Sequence, residues 1–202
     1  QLEKGLEVGL AMAKKGMDPA DLLKLGFPRA IEITGAREQA LDLIVAMSKR
    51  LIAKNIDPQH VLRYSIQSLM KFSNSAEDLE KGILALESLV TAMSESNING
   101  GETLFYGLRA LSSTCKTMDQ FSQSLQFGAK LAWSGIDPCD NFKYGISWTL
   151  GDINQAQFKS AIDLAVRLKT LGIDPLLALQ FGIPVFAKIS GNQDEFEKGM
   201  IL

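Results

Sequence analysis

Apolar residues along the chain follow the three-to-four-residue spacing of amphipathic helices, and no segment alternates convincingly like a strand. One series of helices opens with Leu or Phe and an apolar residue four positions later, at Leu2/Leu6, Leu41/Val45, Leu79/Ile83, Phe121/Leu125, Phe158/Ile162 and Phe196/Met200. A second series carries an apolar residue four positions after a recurrent turn, at Leu23, Leu62, Leu104, Phe142 and Leu179. These positions share one face of each helix, which predicts an all-α core of paired helices.

A short phrase of the type Gly/Asn-Ile/Met-Asp/Asn-Pro separates the two helices of each pair. It stands at residues 16–19, 55–58, 97–100 (with Gly in place of Pro), 135–138 and 172–175, and its Asp or Asn recurs after 39, 42, 38 and 37 residues. Gly or Asn suits the left-handed residue past a helix end, Asp or Asn caps the next helix, and Pro fits its first turn. The phrase therefore predicts a helix-to-helix turn that is repeated five times.

A small residue recurs seven positions after each Pro, or after Gly100 in the third unit. The residues are Gly26, Ser65, Gly107, Gly145 and Gly182. Because glycine inside a helix costs about 1 kcal/mol relative to alanine, we expect a neighbouring helix to approach closely at these positions. The longer spacing of the third unit indicates one added turn in its first helix, since a turn holds about 3.6 residues.

Helix pairs of this length cannot bury their apolar faces singly, so we expect neighbouring pairs to stack. The sequence thus predicts a superhelical α-solenoid of about five antiparallel helix-pair repeats of 37–42 residues, forming a single domain over 1–202. The repeats are placed at about 1–36, 37–76, 77–117, 118–154 and 155–192, and a sixth begins at 193–202. The initial Gln1 and the unfinished sixth repeat suggest a fragment of a longer array.

The helix pairs resemble the HEAT and armadillo class of helical repeats, in which HEAT units have an aspartate at the turn and a basic residue about six positions later. Here the residues six positions past the turn Asp or Asn are Lys24, Arg63, Phe105, Lys143 and Gln180. The resemblance implies that the basic side chains pair with the turn aspartates. Alternatively, Lys24, Arg63 and Lys143 form a basic stripe along the inner surface together with Arg109.

Composition and charge narrow the classes of function. The chain is 46% hydrophobic and 22% charged with a net charge of −2, which favours a folded domain over disorder and argues against a nucleic-acid-binding surface. His60, Cys115 and Cys139 are too few for a zinc site of four Cys/His ligands, and we expect no metal or cofactor.

Free thiols are expected, which favours the cytoplasm, although a processed secreted chain can also begin with Gln. No apolar run reaches the roughly 20 residues of a membrane span.

Residues with catalytic potential have simpler structural explanations. His60 stands in the first turn of a second helix, where exposed polar residues are common. The turn aspartates recur once per repeat, as caps do and as paired catalytic carboxylates do not. Cys139 lies in a helix first turn, where the dipole favours a thiolate, but the neighbouring Asp140 opposes this. We therefore expect a protein that is not an enzyme.

The positions left for function lie on the second helices. Tyr64, Tyr106, Tyr144 and Phe181 form an aromatic series at one register, which either lines a concave groove or packs between helices. Trp148 occupies a position with mixed counterparts, which is typical of a partly exposed contact residue. The candidate partner-binding residues are Lys24, Arg63, Arg109, Lys143, Trp148, Tyr106 and Tyr144.

These features predict a non-catalytic scaffold that binds a protein or peptide on the surface formed by its second helices. The alternatives are an RNA-binding helical-repeat protein, in which each repeat reads one base with a few side chains, and an enzyme built on a helical-repeat scaffold. The acidic net charge disfavours the first alternative. The lack of a convergent acid/base set in the sequence disfavours the second.

Overall fold

The computed structural model describes residues 10, 13–14, 27–53, 64–145, 155–182, 185, 189–190 and 192–199. Within these ranges every regular element is a helix, which confirms the all-α class. The helices are α1 (Phe27–Thr34), α2 (Arg37–Ala53), α3 (Ile66–Phe72), α4 (Ala76–Glu95), α5 (Gly100–Glu102), α6 (Leu108–Thr114), α7 (Met118–Trp133), α8 (Pro138–Asp140), α9 (Gln155–Thr170) and α10 (Gln193–Gly199), with π-helical segments π1 (Thr103–Gly107), π2 (Asn141–Gly145) and π3 (Ala178–Gly182). Over these ranges, no helix combines the length and the apolar character needed to cross a membrane.

Three of the five predicted turns lie in described residues and share one geometry. The left-handed residue is Asn97, Gly135 or Gly172, with φ of 55°, 71° and 75°. The next amide donates to the carbonyl five residues back, from Ile98 to Met93, from Ile136 to Leu131 and from Ile173 to Leu168, each at 2.9 Å. This bond is the mark of a Schellman helix end. The turn prediction is confirmed at these three places, whereas the phrases at 16–19 and 55–58 lie outside the described residues.

The predicted caps of the second helices are also confirmed at these turns. The Oδ1 atoms of Asn99, Asp137 and Asp174 accept hydrogen bonds from the amides two residues later, at 3.1, 2.8 and 2.9 Å. Each bond satisfies an amide that has no partner inside the helix. The Asp or Asn of the recurrent phrase therefore has a structural role in every described copy.

The first helices have caps that the sequence analysis missed. Ser75 Oγ accepts from the Asp78 amide at 3.1 Å, and the Asp78 carboxylate accepts from the Asn74 amide at 2.9 Å. At the start of α7, Thr117 Oγ1 accepts from the Gln120 amide at 3.2 Å, and Gln120 Oε1 accepts from the Lys116 amide at 2.8 Å. These are bonds of the capping-box type. They place Leu79 and Phe121 in the first turn, where both side chains are buried.

Helix lengths agree with the irregular repeat spacing. α4 has 20 residues, whereas α7 and α9 have 16 each. The added turn predicted for the third unit is thus confirmed.

Each described second helix from residue 100 onward widens into a π-helical segment of five residues. The segments π1, π2 and π3 all end in an aromatic residue followed by glycine, at Gly107, Gly145 and Gly182. In π1 the Leu108 amide donates to the Thr103 carbonyl, five residues back. The sequence predicts regular α-helices at these positions. The structure differs because each π-helical segment has one additional residue in its turn.

Helices of one kind contact each other in chain order. The first helix α7 packs along α4 and also contacts α9. Among the second helices, α3 contacts α6, π1 contacts π2, and π2 contacts π3. The largest fully buried side chains, which make up much of the core, are Phe121, Phe127, Phe142, Phe196, Leu69, Leu79 and Leu86.

Phe142 occupies a socket made by two glycines. A Cβ atom at Gly107 would lie 2.7 Å from Phe142 Cδ2, and one at Gly128 of α7 would overlap the same ring. The expected close approach is therefore confirmed at Gly107. The same prediction is wrong at Gly182, where no described atom lies within 4 Å of an added Cβ. The reason is that the second helix of the following unit approaches Gly107, and no second helix follows Gly182 in the described part of the chain.

Candidate functional site

An open cleft of ≈ 400 Å³ lies between the second helices α3 and α6. We call it the cationic cleft, and its lining residues are Tyr64, Gln67, Ser68, Lys71, Arg109 and Ser112. Gln67 and Arg109 occupy the same register position in consecutive units. The described lining contains two cations, three hydroxyl groups and an amide, and no carboxylate is among these residues.

Hydrogen bonds between the two helices hold the floor of the cationic cleft. Ser68 Oγ donates to the Tyr64 carbonyl at 2.7 Å. The hydroxyls of Ser68 and Ser112 also bond to each other, and since a serine has one hydroxyl proton, Ser112 is the donor. Lys71 Nζ donates to the Ser112 carbonyl. These bonds fix α3 against α6 and so set the separation of the two cations.

Neither cation of the cleft is paired with a carboxylate of the described residues. Arg109 is exposed and forms no ion pair there. Lys71 is exposed, bonds to a neutral carbonyl, and lies 5.1 Å from the centroid of the Phe72 ring. The cleft therefore carries positive charge that is not neutralised by its own surroundings.

Two cations of the first helices, Arg50 and Lys81, are neutralised by carboxylates. Arg50 of α2 reaches two carboxylates of α4, at 2.7 Å for Glu80 and 2.9 Å for Glu87. The hydrogen bonds that Arg50 donates to Glu87 and Glu80 raise the pKa of Arg50 above its ordinary value. Lys81 of α4 pairs with Asp119 of α7 in the same way. Lys71 and Arg109 of the cationic cleft have no such carboxylate partner among the described residues.

Aromatic rings border the cationic cleft. Tyr64 and Phe105 meet edge to face with centroids 4.7 Å apart, and Phe105 meets Tyr106 in the same manner at 4.6 Å. Lys143 Nζ of the next unit lies 5.0 Å from the Tyr106 centroid, and Tyr106 remains 51% exposed. The aromatic series thus takes part in contacts between units and, at Tyr106, also in the exposed surface.

The seven predicted contact residues have different outcomes. Arg109 and Tyr106 are exposed on the second helices, and Lys143 is half-buried with its Nζ 3.6 Å from Asp140 Oδ1. Lys24, Arg63 and Trp148 lie outside the described residues, and Tyr144 belongs to π2 with its side chain outside the described set.

Four residues of the cleft were missed by the sequence analysis, namely Gln67, Ser68, Lys71 and Ser112. Their types do not recur with the repeat: the counterpart of Lys71 is Ser113, and that of Ser112 is Met70. A search for residues repeated at one register cannot find such a set.

Both cysteines are free and buried, as expected for unpaired thiols. Burial raises the pKa of Cys115 to about 11, and a hydrogen bond with Ser124 acts in the opposite direction. Burial also raises the pKa of Cys139, against a hydrogen bond from Lys143. The helix dipole therefore does not make Cys139 a reactive thiolate. In the described ranges, no group of three His, Cys, Asp or Glu residues is placed to hold a metal ion.

Comparisons with protein-family models, with curated proteins and with solved structures gave no match to this chain. The functional conclusion therefore depends on the chemistry of the cationic cleft and its surroundings.

Proposed function

We propose that this protein is a non-catalytic α-solenoid scaffold that binds an acidic segment of a partner protein on the surface of its second helices. Contacts of first helices with first helices, and of second helices with second helices, support a tandem array. The recurrence of one turn geometry at Asn97, Gly135 and Gly172 supports it further. Extended to every repeat of the sequence, this stacking gives one superhelical domain over 1–202.

The observation that carries the proposal is the pair of unneutralised cations, Lys71 and Arg109, in one cleft between consecutive units. Carboxylates of an acidic segment would supply the missing countercharge. Ser68, Ser112 and Gln67 add polar groups that suit a peptide backbone. Exposed ion pairs contribute only about 0.2–1 kcal/mol each, so we expect affinity to come from several contacts along the segment and to weaken with salt.

A protein partner agrees with the ring geometry better than RNA does. Single-stranded nucleic acids are held by bases that stack on free aromatic faces beside a positive groove. Here Tyr64 and Phe105 pack on each other, and Lys143 lies over the ring of Tyr106. The net charge of −2 also opposes a long polyanion.

A scaffold agrees with the chemistry of the cationic cleft better than an enzyme does. Among the residues that the structure describes, its lining includes no carboxylate, histidine or thiol to serve as a general base.

Fluorescence anisotropy with labelled hexaglutamate and labelled oligouridylate tests the proposal. We expect hexaglutamate to bind and Lys71→Met with Arg109→Gln to weaken it about tenfold, as loss of two exposed ion pairs implies. The matched control removes two exposed cations elsewhere, Lys130→Gln with Lys198→Gln, and should leave the affinity unchanged. Equal weakening in both variants, or tighter binding of oligouridylate than of hexaglutamate, would overturn the proposal.

A further inference from the structure

A second open cleft, of ≈ 510 Å³, lies between the turns at 134–138 and 171–175. We call it the acidic cleft. Its lining includes the carboxylates of Asp137, Asp140 and Asp174, the amide of Asn141, and apolar side chains such as Ile136 and Leu179. The cationic cleft shares none of these residues.

The equivalent position one unit earlier is closed by a hydrogen bond. Thr103 Oγ1 donates to Asp137 Oδ1 at 3.0 Å and so joins the second helix of one unit to the cap of the next. The repeat spacing makes Asn141 the counterpart of Thr103, and Asp174 the counterpart of Asp137. Asn141 and Asp174 form no such bond, and both line the acidic cleft.

The buried side-chain amide of Asn141 indicates that the acidic cleft binds a ligand. Asn141 is only 2% exposed, and its Nδ2 has no hydrogen-bond partner in the described part of the chain. A buried donor without an acceptor is unfavourable, because water is lost and nothing replaces it. A ligand with a carbonyl oxygen at this place would satisfy the amide.

Charge indicates what else the ligand carries. Asp137 and Asp174 are exposed and accept their cap hydrogen bonds through Oδ1, so each carboxylate has a second oxygen for another donor. Lys169 also lines the cleft, but its Nζ donates to the carbonyls of Ser134 and Gly135. Asp140 lies 3.6 Å from Lys143 Nζ and is partly neutralised by it. Asp137 and Asp174 then outweigh Lys169 in the described lining, so the cleft favours a cation.

We propose that the acidic cleft binds a lysine or arginine residue of an extended segment of a partner protein. The cationic group interacts with Asp137 and Asp174, and Asn141 Nδ2 donates to a backbone carbonyl of the segment. The aliphatic stem lies against Ile136 and Leu179. Lysine and arginine fit this lining because each joins an apolar stem to a charged end.

The test is a titration of the full-length, ¹⁵N-labelled chain with Nα-acetyl-lysine methylamide, followed by NMR. We expect the side-chain amide signal of Asn141 to shift, and the uncharged norleucine analogue to leave it in place. Asp137→Asn with Asp174→Asn should weaken binding several-fold, up to about tenfold, because two exposed ion pairs are lost. These substitutions keep the caps, as Asn99 does in the third unit. The matched control is Asp163→Asn with Asp194→Asn, which removes two exposed carboxylates outside the cleft and should leave binding unchanged.

The proposal is overturned if the lysine probe leaves the Asn141 signal unmoved, if norleucine binds equally well, or if both pairs of substitutions weaken binding alike. Thermal unfolding shows whether the double variant is folded. Should it unfold, Asp174→Asn alone carries the same prediction. Hexaglutamate binding is expected to depend on Lys71 and Arg109, which do not line the acidic cleft. Either proposal can therefore fail while the other holds.

Discussion

Replacing Gly107 by alanine places a methyl group against the ring of Phe142. The new Cβ would lie 2.7 Å from Cδ2 and 3.3 Å from Cβ of that residue, whereas carbon atoms in good contact are about 3.5–4.0 Å apart. Phe142 is 1% exposed, and Gly128 of α7 borders its ring on another side. The ring therefore has little room to move away from the added methyl group.

Two effects of opposite sign determine the size of the change. Overpacking of a core costs about 1–3 kcal/mol, and alanine recovers up to about 1 kcal/mol relative to glycine inside a helix. Because Phe142 is confined by two helices, we expect overpacking to dominate and the free energy of unfolding to fall by about 1–2 kcal/mol. In a chain of this size that corresponds to a Tm about 2–8 °C lower.

The chain offers a matched control at the same register position. No described atom lies within 4 Å of a Cβ added at Gly182. The effect of Gly182→Ala should therefore come only from the higher helix propensity of alanine relative to glycine. We expect it to raise the free energy of unfolding by about 0.5–1 kcal/mol. Urea denaturation followed by far-ultraviolet circular dichroism measures both variants under the same conditions.

A double-mutant cycle identifies the contact itself. Phe142→Leu should cost less in the Gly107→Ala background than in the wild type, because the smaller side chain relieves the overlap. Equal stability of Gly107→Ala and Gly182→Ala, or additive effects in the cycle, would refute the glycine socket.

Asp137→Ala should lower the free energy of unfolding by about 1–2 kcal/mol, because it removes the cap and the hydrogen bond from Thr103. Asp137→Asn should stay near wild type. Equal losses of stability in urea denaturation would contradict the capping role. The coupling between Arg50 and Glu87 should be at most about 1 kcal/mol and shrink with added salt, because the pair is partly exposed; a coupling insensitive to salt would contradict this. Because burial raises the pKa of Cys115 to about 11, the unfolded chain ionises first, and stability should fall as the pH rises from the ordinary thiol value towards 11. Cys115→Ala should lose less stability over this range, and identical pH profiles would show that the thiol does not contribute.

The turns were predictable because their chemistry is local. At Gly135 and Asp137, a left-handed glycine and a capping carboxylate stand two residues apart, and Pro138 fits the first helical turn that follows. The same holds for the added turn of α4, which the repeat spacing alone indicates. The caps Ser75 and Thr117 could also have been found from the sequence. Each stands four residues before a predicted core residue, Leu79 or Phe121, and is followed by Asp or Gln three positions later.

The candidate site was only partly predictable. Arg109 and Tyr106 were identified because they belong to register positions of the repeat. Lys71 and Ser112 have unlike counterparts, so nothing in the order of residues marks them. The π-helical segments were not expected either, although each ends in an aromatic residue followed by glycine.

By itself, the sequence determined the helical class, the places of the three described turns and the added turn of α4. The turns were accessible because each depends on backbone preferences over a few adjacent residues. Only the tertiary structure decided that Lys71 and Arg109 share a cleft with no carboxylate among its described lining residues. It also decided that Asn141 is buried and that its Nδ2 lacks a hydrogen-bond partner within the described ranges. Those facts depend on which side chains meet across neighbouring helices, and residues distant in sequence determine the charge and the hydrogen-bond partners available there.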